Sequence, residues 1–158
     1  MPCRSFDRGY HVALPGQVVE AAGGSYGTQT VLYDASKEGA PANVVIRPAP
    51  GATVTLHDLN VSNTRGVKGA THATFMGMVL TGDISVHGCG QPTDGQQCPA
   101  NSGGNYLQFD AMDVRGPYGF FCGSCDHVTV SNSRIGPLVY GQPCNGSAHP
   151  EVSTEYDS

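Results

Sequence analysis

An apolar pattern that recurs without gaps constrains this chain more than any other feature. The segments His72-Ala73-Thr74-Phe75-Met76-Gly77-Met78-Val79-Leu80, Tyr106-Leu107-Gln108-Phe109-Asp110-Ala111-Met112-Asp113-Val114 and His127-Val128-Thr129-Val130-Ser131-Asn132-Ser133-Arg134-Ile135 align residue by residue. Each closes on a glycine, at Gly82, Gly116 and Gly136. An earlier copy runs through Val44-Val45-Ile46 and Val54-Thr55-Leu56, with Pro48-Ala49-Pro50-Gly51 inserted at the turn. Ile46, Phe75, Phe109 and Val130 then share one column at offsets of 29, 34 and 21 residues, the length of a coil of three short strands with their turns. The inward candidates are Phe75, Met78 and Leu80, then Phe109, Met112 and Val114, then Val130 and Ile135; the residues between them are mostly polar. A single coil leaves that apolar face bare, whereas parallel stacked coils cover one another. Gly77, Ala111 and Asn132 put small or left-handed-tolerant residues where the chain has to bend. An antiparallel sandwich would need hairpin turns that this repeat does not contain. The pattern therefore predicts an all-β parallel β-helix, with residues 1–158 forming one domain.

The long offset has a local cause. Between Gly88 and Gly104 the chain is polar and turn-rich, Cys89 to Gly103, and reads as a loop thrown out from one coil. Ahead of the repeat, Ser5 can cap a short helix whose Phe6, Tyr10 and Ala13 recur at helical spacing before Pro15-Gly16 stops it. Strand-like segments separated by glycine turns follow, Gln17–Ala21 and Gln29–Tyr33 among them. With charged residues at 13% and 22 glycines, long solvated helices are disfavoured. A net charge of −5 without Lys/Arg runs argues against nucleic acid, and no apolar run is long enough to span a bilayer. Six cysteines and sequons at Asn60 and Asn145 fit an exported protein with disulfides.

Leu14-Pro15-Gly16-Gln17-Val18-Val19-Glu20-Ala21-Ala22-Gly23-Gly24-Ser25-Tyr26, preceded by the helix from Phe6, resembles the entry to bacterial right-handed parallel β-helix proteins of the pectin-lyase-like superfamily. Val44-Val45-Ile46-Arg47-Pro48 and Gly51-Ala52-Thr53-Val54 are similar to that family too. The resemblance implies a right-handed single-stranded β-helix with an N-terminal capping helix. Its motifs encode turns and stacking and say little about chemistry. His149-Pro150-Glu151-Val152 fits the register of His127–Val130 one coil later, which predicts a further coil and a parent protein extending past the C-terminus, with any leader missing at the N-terminus.

The candidate chemistry is sparse. Polysaccharide lyases of the resembled superfamily use carboxylates that hold calcium against a uronate and a basic residue that takes a proton; Asp110, Asp113 and Arg115 are the residues near enough to attempt this. The competing reading pairs Asp113 with Arg134, one coil on, as a surface ion pair. Cys89 and Cys98 are expected to bridge across the loop. Cys122 is expected beside Cys144, its neighbour by coil offset, or beside Cys125 of the same CxxC; a zinc site is the weaker alternative. His72, Tyr106, His127 and His149 share a column that reads as a corner stack of rings. Two functions follow: an exported β-helix acting on or binding a polysaccharide laid along the coils, as a lyase or hydrolase, and a non-catalytic cell-surface module that binds glycan or acts as a spacer. Ice binding would need a regular Thr array, which Gln108 interrupts between Thr74 and Thr129.

Overall fold

The computed structural model describes residues 4–61, 69–87, 104–123 and 125–136, together with 154–156; at His87 and 154–156 only the backbone is described. Ser5 caps the helix α1, Phe6–Val12, by accepting from the Arg8 backbone N–H at 3.2 Å. The first coil is β1 (Val18–Ala21), β2 (Gly24–Ser25) and β3 (Gln29–Val31); the second is β4 (Val44–Pro48), β5 (Val54–Leu56) and β6 (Leu59–Val61). The third is β7 (Thr71–Met76), β8 (Val79–Leu80) and β9 (Ile84–His87), and the fourth β10 (Asn105–Asp110), β11 (Asp113–Val114) and β12 (Phe120–Gly123). The last is β13 (Asp126–Ser131), β14 (Arg134–Ile135) and β15 (Thr154–Tyr156).

Every third strand joins the same sheet. Sheet A is β1-β4-β7-β10-β13, sheet B is β2-β5-β8-β11-β14 and sheet C is β3-β6-β9-β12-β15, with parallel pairing throughout. The column read from the repeat is the observed register: Ile46 pairs with Phe75, Phe75 with Phe109, and Phe109 with Val130. Ile46, Phe75 and Phe109 are fully buried, and the Phe75 and Phe109 rings stack at 5.5 Å. Val130, at the end of the column, is 39% exposed rather than enclosed. The repeat also has a member that the alignment passed over, because Val19 of β1 sits in register beneath Ile46.

α1 covers the first coil. Its Phe6, Gly9 and Tyr10 are buried, the Gln29 side chain accepts from the Phe6 N–H, and Asp7 accepts from the Leu32 N–H at 2.9 Å. The Leu32 N–H just past β3 thereby gains a partner, and the helix lies over the outermost coil. Tyr10 reaches furthest, donating its phenol to the Thr71 carbonyl at 2.6 Å.

The corner between sheets B and C is held by two aspartates that the repeat did not single out. Asp58 accepts from the Asp83 N–H at 3.0 Å, and Asp83 accepts from the N–H groups of Tyr118 and Gly119 at 2.9 and 2.7 Å. These carboxylates and the crossing backbone leave no space at two of the closing glycines, Gly82 and Gly116: a Cβ at Gly116 would lie 2.3 Å from the Gly82 carbonyl carbon.

One expectation needs correction. Asp113 is in register with Arg134, yet its carboxylate is bonded to Arg115, two residues along the same outward face of sheet B and within easier reach. Of the two neighbours expected for Cys122, Cys125 is the one it bonds, in a disulfide with Cα atoms 5.9 Å apart; its register partner in the next coil is Glu155 rather than Cys144. β15 is the sheet C strand of the coil that β13 opens, so Ile135 and Thr154 bound a connection much longer than the one from Val114 to Phe120. Cys89, Cys98, Cys144 and His149–Val152 lie outside the described residues.

Replacing Phe75 with Ala should lower unfolding free energy by about 3–5 kcal/mol in urea titrations, because the ring is enclosed between coils. Gly116→Ala should cost at least about 1–3 kcal/mol, since its clash is with backbone that cannot turn aside.

Candidate functional site

Alternation along the strands of sheet A sends Val18, Val45, Thr74, Gln108 and Thr129 outward in one register column. Glu20, Arg47, Met76, Asp110 and Ser131 form the next outward position two residues on. At the start of the strands His72, Tyr106 and His127 stack ring on ring, with centroids 4.7 and 4.5 Å apart and planes within 25°. The corner stack read from the sequence is therefore present for its three described members.

The stack carries a strain that the sequence pattern did not disclose. His72, Tyr106 and His127 have φ of 52°, 54° and 52°, the left-handed region that costs a side-chain-bearing residue about 1–2 kcal/mol. At the opposite end of the same strands the left-handed positions are filled by Gly77, Ala111 and Asn132, small or amide residues suited to that backbone. Three aromatic rings at the costlier positions draw compensation from ring stacking, about 0.5–1.5 kcal/mol per pair. Strained non-glycine backbone of this kind clusters at ligand sites.

Two depressions meet at Tyr106. A recess of about 80 Å³ is lined by Tyr33, Glu38, Thr71, His72 and Tyr106 among others. A groove of about 270 Å³ is lined by Asn43, Tyr106, Gln108, His127 and Thr129. The polar side chains are fixed by one another: Asn43 donates to the Thr74 hydroxyl at 3.1 Å and to the Tyr106 carbonyl at 3.2 Å, and Thr74 donates to the Gln108 side-chain oxygen at 3.1 Å. In the recess the Tyr33 phenol donates to Glu38 at 2.6 Å, which pushes the phenol's pKa up. Burial holds the His72 imidazole below its ordinary value, with Glu38 opposing. Sequence reasoning missed Tyr33, Glu38 and Asn43, which lie outside the repeat. Gln108 entered only as a break in a threonine column, and its place beside Tyr106 and His127 was the available signal.

The three residues nominated for lyase chemistry are divided by the bend at Ala111. Asp110 ends β10 on sheet A and accepts from Asn132 and Ser131, both at 2.8 Å, which holds its carboxyl below the usual range. Asp113 lies on sheet B, where Arg115 holds its carboxyl down with help from Arg134. Asp113 in turn pushes the Arg115 guanidinium further up, the wrong direction for a proton acceptor. Among the described residues no three His, Cys, Asp or Glu side chains group as a metal site. Asp110 and Asp113, on separate sheets with their own hydrogen-bond partners, do not fit calcium, which takes six to eight converging oxygens.

Comparison with protein-family models, with curated proteins and with solved structures yields no match. Among the described residues no helix is long and apolar enough to cross a membrane.

His72 supplies a pH test. Its lowered pKa means that the unfolded chain takes up a proton near pH 6.5 that the folded chain resists. The stability from neutral His72 is complete above about pH 6.5 and is lost as pH falls toward the folded value. The lowered carboxylates Asp58, Asp110 and Asp113 act further down, their contribution being lost below their ordinary value of 3.8. The drop in Tm between pH 7.5 and pH 5 should therefore shrink in His72→Asn, a substitution compatible with the left-handed backbone; an unchanged drop would deny the burial effect.

Proposed function

We propose that this protein is an exported right-handed parallel β-helix of the pectin-lyase-like kind that binds a polysaccharide along the outward face of sheet A. The observation that carries the reading is the groove over Asn43, Tyr106, Gln108, His127 and Thr129, which joins amides, a hydroxyl and aromatic edges in register across successive coils. Strands of adjacent coils repeat at about 4.8 Å, a spacing comparable to a sugar unit, so an extended polymer meets similar groups at successive steps without a deep pocket. Right-handedness is supported by the near-universal hand of parallel crossover connections. Export is supported by the Cys122–Cys125 disulfide, a linkage rare in reducing compartments. Nucleic acid is disfavoured by a net charge of −5 and by the pairing of Arg47, on this face, with Glu20 at 3.1 Å.

Binding ranks above catalysis because Asp110 and the Asp113–Arg115 pair occupy different sheets. Affinity electrophoresis in gels containing neutral and acidic polysaccharides should retard the protein in at least one, and Tyr106→Asn with Gln108→Ala should weaken that retardation tenfold or more. Tyr106→Asn should change stability by no more than about 1–2 kcal/mol, since lost stacking and relieved strain oppose each other. No retardation in any polymer would end the polysaccharide reading. The enzymatic alternative predicts cleavage of the bound polymer that falls in Asp110→Ala and Arg115→Ala; equal rates in wild type and both variants would remove those residues from any mechanism.

A further inference from the structure

The hydrogen bonds around the ring stack determine which protons its imidazoles carry. The Thr71 hydroxyl has one proton and two partners, the Asn105 carbonyl at 2.9 Å and His72 Nδ1 at 2.8 Å. A carbonyl only accepts, so the threonine proton goes to Asn105 and His72 Nδ1 donates to the threonine oxygen. In neutral His72, Nε2 therefore carries a lone pair. One coil beyond Tyr106, His127 Nδ1 lies 2.9 Å from the Asp126 carboxylate, which again accepts, and neutral His127 has the same tautomer. Two imidazoles with accepting Nε2 atoms thus flank the Tyr106 ring, and they line the recess and the groove that meet there.

The charges of this face point the same way. Its carboxylates are Glu20, Glu38, Asp110 and Asp126, and Arg47 is tied to Glu20. Arg115 and Arg134 stand on sheet B, and buried Lys37 is held by Asp34 at 3.0 Å. Among the described residues neither depression is lined by a lysine or arginine: amides, a hydroxyl and rings line the groove, and Glu38 adds a carboxylate in the recess. A polyuronate would set its own carboxylates against those of the face, and calcium bridging lacks a ligand cluster here. A neutral sugar supplies O–H donors to the Nε2 atoms and acceptors to the Gln108 amide.

Resting on the polysaccharide reading, we infer that the ligand is a neutral, hydroxyl-rich polysaccharide rather than a polyuronate, with His72 and His127 accepting sugar hydroxyls at Nε2. The test is calorimetric titration of the full chain at pH 7.5 with laminarin, galactomannan and polygalacturonate, the last with and without calcium. Long-range ¹H–¹⁵N spectra of the histidine side chains accompany it. The inference expects a neutral polymer to bind at least tenfold more tightly than polygalacturonate in either condition, His127→Asn to weaken that binding severalfold, and both histidines to show Nδ1–H. Comparable or tighter binding of polygalacturonate, with or without calcium, overturns the inference and leaves the polysaccharide reading standing. Binding of no polymer removes both, and an Nε2–H tautomer at either histidine overturns the assigned role of the rings.

Discussion

In-register parallel stacking is the constraint on which everything else depends. Each coil has an inward apolar set that only its neighbours can cover, so Val19, Ile46, Phe75, Phe109 and Val130 share one line through the molecule. A shift of one residue in any coil would send that line to solvent and bring the outward polar column inside. The register also sets the surface: the spacing that stacks Phe75 on Phe109 places His72 against Tyr106 and Thr74 against Gln108. Core and candidate groove are two faces of the same alignment.

The sheets were legible because alternation and repeat act together. Phe75 over Ile46 and under Phe109 could be read by lining up copies, since a buried column tolerates few residue types and leaves a strong trace. Val19 escaped because its copy is followed by turns of different length, so no gapless alignment reached it. Asp58 and Asp83 escaped for a different reason: they satisfy backbone N–H groups at a corner, a role that leaves no periodic signature. For Cys122 the sequence left Cys144 and Cys125 open; the coil-offset argument for Cys144 assumed a constant coil length, whereas the coil holding β13 and β15 has a longer connection and the disulfide is to Cys125.

The candidate site was less legible than the fold. Asp110, Asp113 and Arg115 are close in sequence, but the left-handed bend at Ala111 puts them on two sheets. Proximity along the chain is a poor guide in a coil that turns every few residues. The groove joins residues from separate coils, Asn43 to Thr129, and such a set emerges only after the register is known. Even then, the left-handed backbone beneath the ring stack is invisible in residue types, because histidine and tyrosine are not what a turn-seeking eye looks for.

The Tyr10 phenol and Thr71 are 61 residues apart and belong to the capping helix and the third coil. The Tyr10 contact of α1 thus cannot form until the chain has grown far enough to lay down β7. At ribosomal speeds of about 5–20 residues per second this interval lasts seconds, long beside the sub-microsecond elongation of a helix. The helix can settle on the first coil through Gln29 and Leu32 before its tie to the third coil is made. Seating of the Tyr10 phenol on Thr71 is therefore a late event in assembly, one that ties the cap to the third coil after it has met the first.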